Sequence, residues 1–496
     1  MNCLNIPYIF TANHNKTLRM SNIIIYFCLI ALTIVNATSY WDVSTTGFLP
    51  VTKERSCIFN NLHYLCKTMR TNPTTENIVE AVKKISITDI IIATEFNEVT
   101  EGEIEDMFHW FSVAACRVGY NQNPSGSKTG VPIVIPFDLN IRLLLLANHL
   151  KREPTTGYAS LVLDNCVRFG AVENRPDSYD NYDIQRTVTS ATDPAEEFAH
   201  RAEKGFYASH CAVEHAFGPA VENLHELRSV TNANDADTQM LTRVLRNLAY
   251  NTRQTIPVLK HMRHFFNSEH FFRYLRPFIK CGNIGDNGVI FEGISGVSGI
   301  SFDLTLPNGT IRNIPFDETI YGFRGPTGAQ TSSLSAIDAG LQIMTSISAD
   351  PNLEITMKEF RQYHPTAHCE FNDEITKLNL RDHIVVMHNN ELTDAYNDAV
   401  TAVAEFRFAH VDHVMTYIFK SIPHVPKKEV GGTGNTPIAS YLCKSAVGTL
   451  LSRIKQGASA NLPTVSVPSI CSQECFVDHT DVHDQEYCTK FNELIE

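Results

Sequence analysis

From Phe198 to Phe217, large side chains recur every three or four residues, and Phe198, Ala202, Phe206, His210, Val213 and Phe217 fall on one face of a helix. The run opens on Asp193-Pro194-Ala195-Glu196: a capping acid, a proline suited to the first turn and a glutamate placed to reach back to the cap. A stripe this wide is stable in water only when it is buried against other elements. Gly218-Pro219 is expected to kink or end the helix, because proline lacks the N–H that the next turn needs.

The same period returns farther along the chain. It predicts a helix over about 237–253 with Leu241, Val244, Leu245 and Leu248 inward, and a third through Leu259, Met262 and Phe265. Ser268 reads as the cap of Glu269 to Leu275, a helix resumes near Ser332 with Leu334, Ile337, Ala339 and Leu341, and a long one runs from Thr393 to about Ser421, stopped by Pro423. Residues 282–330 are glycine-rich and read as a long connection or a β-like insertion. The expected fold is mainly α, with a large all-helical domain over 193–460.

Ahead of it, residues 38–192 are mixed in character and predict a smaller α/β domain ending in a polar linker, Arg175 to Thr192. Ile85 to Thr94 and Val131 to Pro136 fit strands or short helices equally. At the start, Lys16 and Arg19 precede the apolar run Ile23 to Val35, which closes on Val35-Asn36-Ala37. This is the pattern of a secretory signal over 1–37, with Met20 an alternative start and an uncleaved anchor the competing reading. The expected location is therefore the secretory pathway or outside the cell, and the cytoplasm if this N-terminus is not used.

The chain holds 13 cysteines. Cys57 with Cys66, and Cys471, Cys475 and Cys488 in the 461–496 tail, are disulfide candidates, whereas Cys166, Cys211 and Cys281 sit in apolar stretches and are expected to pack as small hydrophobes. Asn308-Gly-Thr is a glycosylation triplet. The formal charge of −13 is spread along the chain with no basic stripe, which argues against a nucleic-acid partner.

Two histidines stand on apolar helix faces. His410 shares its face with Val403, Phe406, Val414 and Tyr417, and His210 lies between Phe206 and Val213. Each fits a neutral core histidine bonded to a carbonyl. His410 also fits an axial haem ligand, which requires one neutral imidazole in an apolar pocket. His413, one turn on, leaves a His-x-x-His metal pair open. Arg276, just before Pro277 and near Phe271 and Phe272, fits a carboxylate clamp or a surface arginine. Two glycine loops, 325–330 and 431–436, each precede a helix and lack the lysine of a phosphate-binding loop. No Gly-x-Ser-x-Gly or His-Glu-x-x-His occurs.

Taken in order, Arg324-Gly-Pro-Thr-Gly-Ala-Gln-Thr-Ser-Ser, Ile337-Asp338, Phe360 to His368, Ala395-Tyr396, Phe406 to His410, Thr416-Tyr417-Ile418 and Gly432 to Thr436 resemble the indoleamine 2,3-dioxygenase family over roughly residues 120–455. The resemblance implies haem b held by His410, with Asp338 behind the ligand and Arg407 near a haem propionate. It implies Phe206 and Phe271 against an indole, Arg276 on the substrate carboxylate, Thr433 closing over the same group, and Thr327, Gly328 and His210 on the reacting side. The implied reaction inserts both atoms of O2 across the indole C2–C3 bond of L-tryptophan, or a related indoleamine, to give N-formylkynurenine. An external reductant would keep the iron ferrous, in a monomer. The chain departs from the family pattern at His210, where a small serine is usual, at Leu163, where an aromatic is usual, in a longer 293–322 insertion, and in the signal-like start. A non-catalytic haem or oxygen-binding protein on the same fold is the competing expectation.

Overall fold

A computed structural model describes residues 41, 47–50, 61–96, 99–124, 131–168, 182–184, 197–231, 238–264, 268–271, 275–281, 289–292, 301–305, 311–315, 325–343, 360–420, 438–455, 465, 467 and 471. The signal-like segment, Cys57, Asn308 and Thr433 lie outside them. Residues Trp41 to Glu496 form one compact unit and Met1–Tyr40 another.

Helices carry the described residues, as expected of a mainly α chain. In order they are α1 (Leu62–Thr71), α2 (Thr75–Lys83), α3 (Ile87–Phe96), α4 (Glu101–Gln122), α5 (Phe137–Leu150), α6 (Glu197–Thr231), α7 (Thr238–His261), α8 (Arg276–Cys281), α9 (Ser332–Gly340), α10 (Thr366–Thr376), α11 (Leu380–Met387), α12 (Asn390–Val414) and α13 (Ile438–Leu451). Six short strands form three pairs. Strand β1 (Ile133–Ile135) runs parallel to β4 (Val289–Phe291), β2 (Cys166–Arg168) antiparallel to β3 (Tyr182–Ile184), and β5 (Ser301–Thr305) antiparallel to β6 (Ile311–Pro315). The β5–β6 pair falls inside the 293–322 insertion. The ambiguous stretch at 85–94 is helical in α3, and the one at 131–136 supplies β1.

Local chemistry accounts for where these helices start. Thr100 accepts from the Glu103 backbone N–H while the Glu103 side chain accepts from the Thr100 N–H, a reciprocal capping box that opens α4. Asn389 accepts from Leu392 N–H at 3.0 Å and opens α12. Helix α12 lies at the centre, packed against α7 and α13, with Tyr396, Val400, Val403 and Ala404 fully buried. On α7, Leu241, Val244, Leu245 and Leu248 are all fully buried, as the periodicity predicts. Each such side chain contributes about 1.5–3 kcal/mol through removal from water. Arg253 of α7 reaches Asp398 and Glu405, both on α12, at 2.7 Å each and fixes the register of that pair.

Two expectations about helix ends are corrected. Helix α6 does not stop at Gly218-Pro219; it runs on to Thr231 with Pro219 inside. Both sides of this stretch are held by packing: Val221, Leu224 and Leu227 beyond the proline are buried, and Asn251 of α7 donates to the Pro219 carbonyl. Gly47 (φ +71°) is close enough that a β-carbon on it would stand 3.3 Å from the Gly218 Cα. Likewise α7 continues through Pro257 to His261, so Leu259 belongs to it and only a 3₁₀ turn, Met262–His264, follows. At Ser268 the helix expected to reach Leu275 begins as an α-helical turn, Ser268–His270, and Phe271 and Leu275 are π-helical, with residues 272–274 outside the described ones.

One cysteine also differs from expectation. Cys211 is disulfide-bonded, so it does not simply pack as a small hydrophobe. Cys471, a disulfide candidate from the sequence, is indeed in a disulfide, bonded to Cys443 of α13 with the Cα atoms 5.5 Å apart. Around that bond Ala404, Phe408 and Val411 of α12 meet Ala446, Val447 and Leu450 of α13. Among the described residues no helix is long and apolar enough to cross a membrane.

Candidate functional site

The stripe on α6 and the face of α12 that carries His410 border the same cavity, of about 230 Å³. Phe206, His210, Val213, Glu214 and Phe217 line one wall, and Phe406, Arg407, His410, His413 and Val414 another. Residues 326–329 and α9 form a third side through Thr327, Gly328 and Asp338, with Phe271 and Arg276 at a fourth. Beyond Val414 the α12 turns widen into a π-helical segment, Met415–Lys420, and Tyr417 from that segment joins the lining. Such widened turns re-aim side chains near sites.

Both histidines are half-buried by surface exposure, because their rings open into the cavity and not to bulk water. Burial pushes the His410 pKa down to about 4, with the charges of His210 and Arg407 adding to the fall. Its ring takes no hydrogen bond from the described residues, which differs from the carbonyl-bonded core histidine that the apolar face also allowed. His210 is also lowered to about 4 by burial, partly offset by its bond to the Phe206 carbonyl. That bond, 2.8 Å from Nδ1, places the proton on Nδ1 and leaves Nε2 an acceptor. The site thus presents two uncharged imidazoles.

Asp338 hydrogen-bonds with Arg407, three residues before His410 on the same helix, and Arg407 in turn donates to Thr449 of α13. Burial raises the Asp338 carboxyl although the Arg407 guanidinium pulls it down. Its second oxygen, Oδ1, is buried with no partner. The carboxylate therefore acts on the arginine directly, and any support for the His410 ring runs through helix α12. Across the cavity, Phe206 stacks on Phe271 with centroids 5.2 Å apart and planes at 24°, and Phe206 lies 4.2 Å from the His210 ring. Arg276 opens α8 and is buried, not the surface arginine that a helix end suggests.

The 325–331 loop is laced by its own side chains. Thr327 and Gln330 form a capping box over Gly328–Gln330, and Gln330 Oε1 also accepts from the Tyr158 N–H at 2.9 Å. A β-carbon at Gly328 would meet nothing within 4 Å, so the loop faces open space where a flat group can approach the backbone. A neutral imidazole with no hydrogen bond among the described residues, apolar walls and an open glycine edge together suit a porphyrin, whose iron His410 would hold. Among the described residues no cluster of three or more His, Cys, Asp or Glu gathers, so His410 and His413 have no third protein ligand for a separate metal.

Residues 37–446 match the profile of the family described as Indoleamine 2,3-dioxygenase. The chain belongs to the indoleamine 2,3-dioxygenase family. Indoleamine 2,3-dioxygenase 1 of Rattus norvegicus is 25% identical over 320 residues, 62% of this chain and 70% of the relative. The 6-hydroxytryptophan 2,3-dioxygenase of Fusarium equiseti is 26% identical, over 44% of this chain and 48% of that protein. The Myoglobin of Haliotis madaka is 24% identical over 239 residues, 46% of this chain and 56% of the relative.

Within this family frame, nine of the ten residues singled out from the sequence border one cavity: Phe206, His210, Phe271, Arg276, Thr327, Gly328, Asp338, Arg407 and His410. The tenth, Thr433, lies outside the described residues. Tyr158 and Glu214 also line the cavity, and sequence reasoning passed over them. The signal for Glu214 was available: it stands four residues after His210, a carboxylate amid the apolar stripe. Tyr158 had none, since its place depends on contacts with residues 214 and 330. Leu163 is fully buried and is absent from the lining, so its departure from the family pattern does not reach this cavity.

Proposed function

We propose that the protein is a haem-dependent dioxygenase that opens the indole ring of L-tryptophan, or a related indoleamine, with O2. The observation that carries this is the His410 ring, neutral and without a hydrogen bond among the described residues, facing a cavity that also holds a stacked phenylalanine pair and a buried arginine. Haem b, when bound, supplies the oxygen chemistry, and both atoms of O2 end in the N-formylkynurenine product across the former C2–C3 bond. The balance needs no further electrons, so an external reductant serves only to hold the iron ferrous.

The chain's own residues do the positioning. Phe206 and Phe271 offer flat apolar faces to an indole, and Phe206 in turn holds His210 by its carbonyl. His210 Nε2, unprotonated, is placed to accept the indole N–H. The Arg276 guanidinium pairs with the amino-acid carboxylate through parallel hydrogen bonds, the group to which the family resemblance also assigns Thr433. Apolar walls keep water from competing for these bonds.

The Cys443–Cys471 bond and the disulfide at Cys211 support passage through an oxidising compartment, in line with a signal at 1–37. A second reading, an oxygen-binding haem protein without turnover, has its own support in the similarity to the Haliotis madaka Myoglobin. Purified protein loaded with haem, reduced with ascorbate and methylene blue and given L-tryptophan separates the two. Formation of N-formylkynurenine is expected; haem and O2 binding with no product would establish the second reading.

A further inference from the structure

Glu214 is a buried acid that the proposed reaction does not use. It lies one turn beyond His210 on α6, is 1% exposed and borders the cavity. Three hydroxyls meet its carboxylate. Ser333 Oγ donates to Oε2 at 2.6 Å and Thr331 Oγ1 donates to Oε1, and the Tyr158 phenol stands close enough to interact electrostatically with the same carboxylate. Burial pushes the Glu214 pKa up and these three hydroxyls hold it back.

The hydroxyls come from two separate parts of the chain. Thr331 and Ser333 follow directly on the Thr327–Ala329 edge of the cavity and begin α9. Tyr158 precedes the π-helical turn Ala159–Leu163, and its backbone N–H is bonded to Gln330 on the same loop. One carboxylate thus joins the His210 helix, the glycine loop and the Tyr158 segment. Losing an acceptor here would leave buried hydroxyls unpaired, at about 1–3 kcal/mol each.

We infer that Glu214 is a positioning residue: by accepting from Thr331 and Ser333 and interacting with the Tyr158 phenol it sets the gap between the Thr327–Ala329 loop and the His210 face, and so the fit of whatever binds between them. This rests on the reading of the cavity as a haem site. Glu214 touches neither the iron ligand nor the indole partners and acts through the loop.

The test is an azide titration of the ferric, haem-loaded protein followed in the Soret band, in wild type, E214Q, Y158F and the double variant, with haem content and thermal midpoint measured alongside. Gln keeps the size and one acceptor oxygen, and Y158F removes the phenol hydroxyl while keeping the ring. Each single change is expected to shift azide affinity roughly three- to tenfold with haem content intact. The double variant should show much less than the product of the two, because both act on one linkage. In steady state E214Q should raise KM for L-tryptophan more than it lowers kcat. Azide affinity in E214Q within about twofold of wild type, or independent multiplication of the two effects, overturns the inference. An azide shift without turnover in wild type sinks the dioxygenase reading alone. Turnover without an azide shift sinks only the role of Glu214, and a wild type that takes up no haem sinks both. Should E214Q fail to fold, Ser333→Ala with Y158F makes the same cycle from the hydroxyl side.

Discussion

His410 and Arg276 do different jobs at the scale of single residues, and their variants should separate. The His410 ring is kept neutral by burial and has no hydrogen bond among the described residues to lose. Replacing it with alanine should therefore abolish the ferric Soret band while leaving the helical circular dichroism of the protein in place. Arg276 is buried beside the phenylalanine pair and would grip a carboxylate. Arg276→Ala should keep haem and raise KM for L-tryptophan at least tenfold, a loss of about 1.4 kcal/mol or more of binding. A KM within about twofold of wild type would show that the carboxylate is held elsewhere. Periodicity and spacing did not distinguish either residue from its bland alternative; only the family motifs did. A histidine on an apolar face and an arginine at a helix end take their meaning from what faces them.

Among the elements, α9 is the tightest joint. It carries Asp338 and ends at Gly340, where a β-carbon would stand 2.7 Å from Leu224 Cδ2 of α6 and 3.0 Å from Ile375 Cγ2 of α10. Gly340→Ala should thus overpack the α6–α9–α10 crossing and cost about 1–3 kcal/mol, read as a lower midpoint in urea at unchanged slope. The end of the chain has its own tie. The Cys443–Cys471 bond closes a separation of 28 residues beside the α12–α13 core, so Cys443→Ser should lower stability by roughly 3–4 kcal/mol under the chain-entropy account. Because α13 supplies Thr449 to Arg407 and Leu442 to the cavity, reduced haem affinity should accompany that loss. Unchanged melting with and without reductant would count against it. These joints were invisible in the sequence: a glycine near a helix end reads as a stop signal, and cysteine pairing does not follow from spacing.

For the molecule as a whole, stability should fall on acidification. His210 and His364 are lowered to about 4 and His413 to about 3, all chiefly by burial, from 6.5. Between those values and 6.5 the unfolded chain binds protons that the folded chain refuses, so each histidine contributes a positive slope of stability with pH, about 1.4 kcal/mol per pH unit. Glu153 works the other way. Its carboxyl is raised by burial from 4.5 to about 7, and Oε2 is buried with no partner. In that window the folded chain holds a proton the unfolded chain has released, so Glu153 contributes a negative slope. His368 and His410 are lowered by burial as well, while Glu214 and Asp338 are raised like Glu153; the lowered histidines outnumber the raised carboxyls, so the thermal midpoint of the haem-free protein should drop from pH 6.5 towards 4. Glu153→Gln should stabilise the protein at pH 8, by an amount on the order of 2–3 kcal/mol, and do little at pH 4. Equal melting of the variant and wild type at pH 8 would mean that the Glu153 carboxylate finds water or a cation.

The mainly α class, the buried faces of α7 and α12 and the motif order of the family were legible in the chain alone, because a 3.6-residue period and a short glycine motif are local properties that survive without coordinates. Helix ends at Pro219 and Pro257 were not, since packing on both sides overrides a local breaker that costs only a few kcal/mol. Nor were the disulfide at Cys211 and the Cys443–Cys471 bond, or the convergence of Tyr158, Thr331 and Ser333 on the Glu214 carboxylate. Those depend on which segments meet across 56 and 119 residues of chain, as the sequence positions 158, 214 and 333 show. Periodicity says which face a residue turns inward; only folding says what waits there.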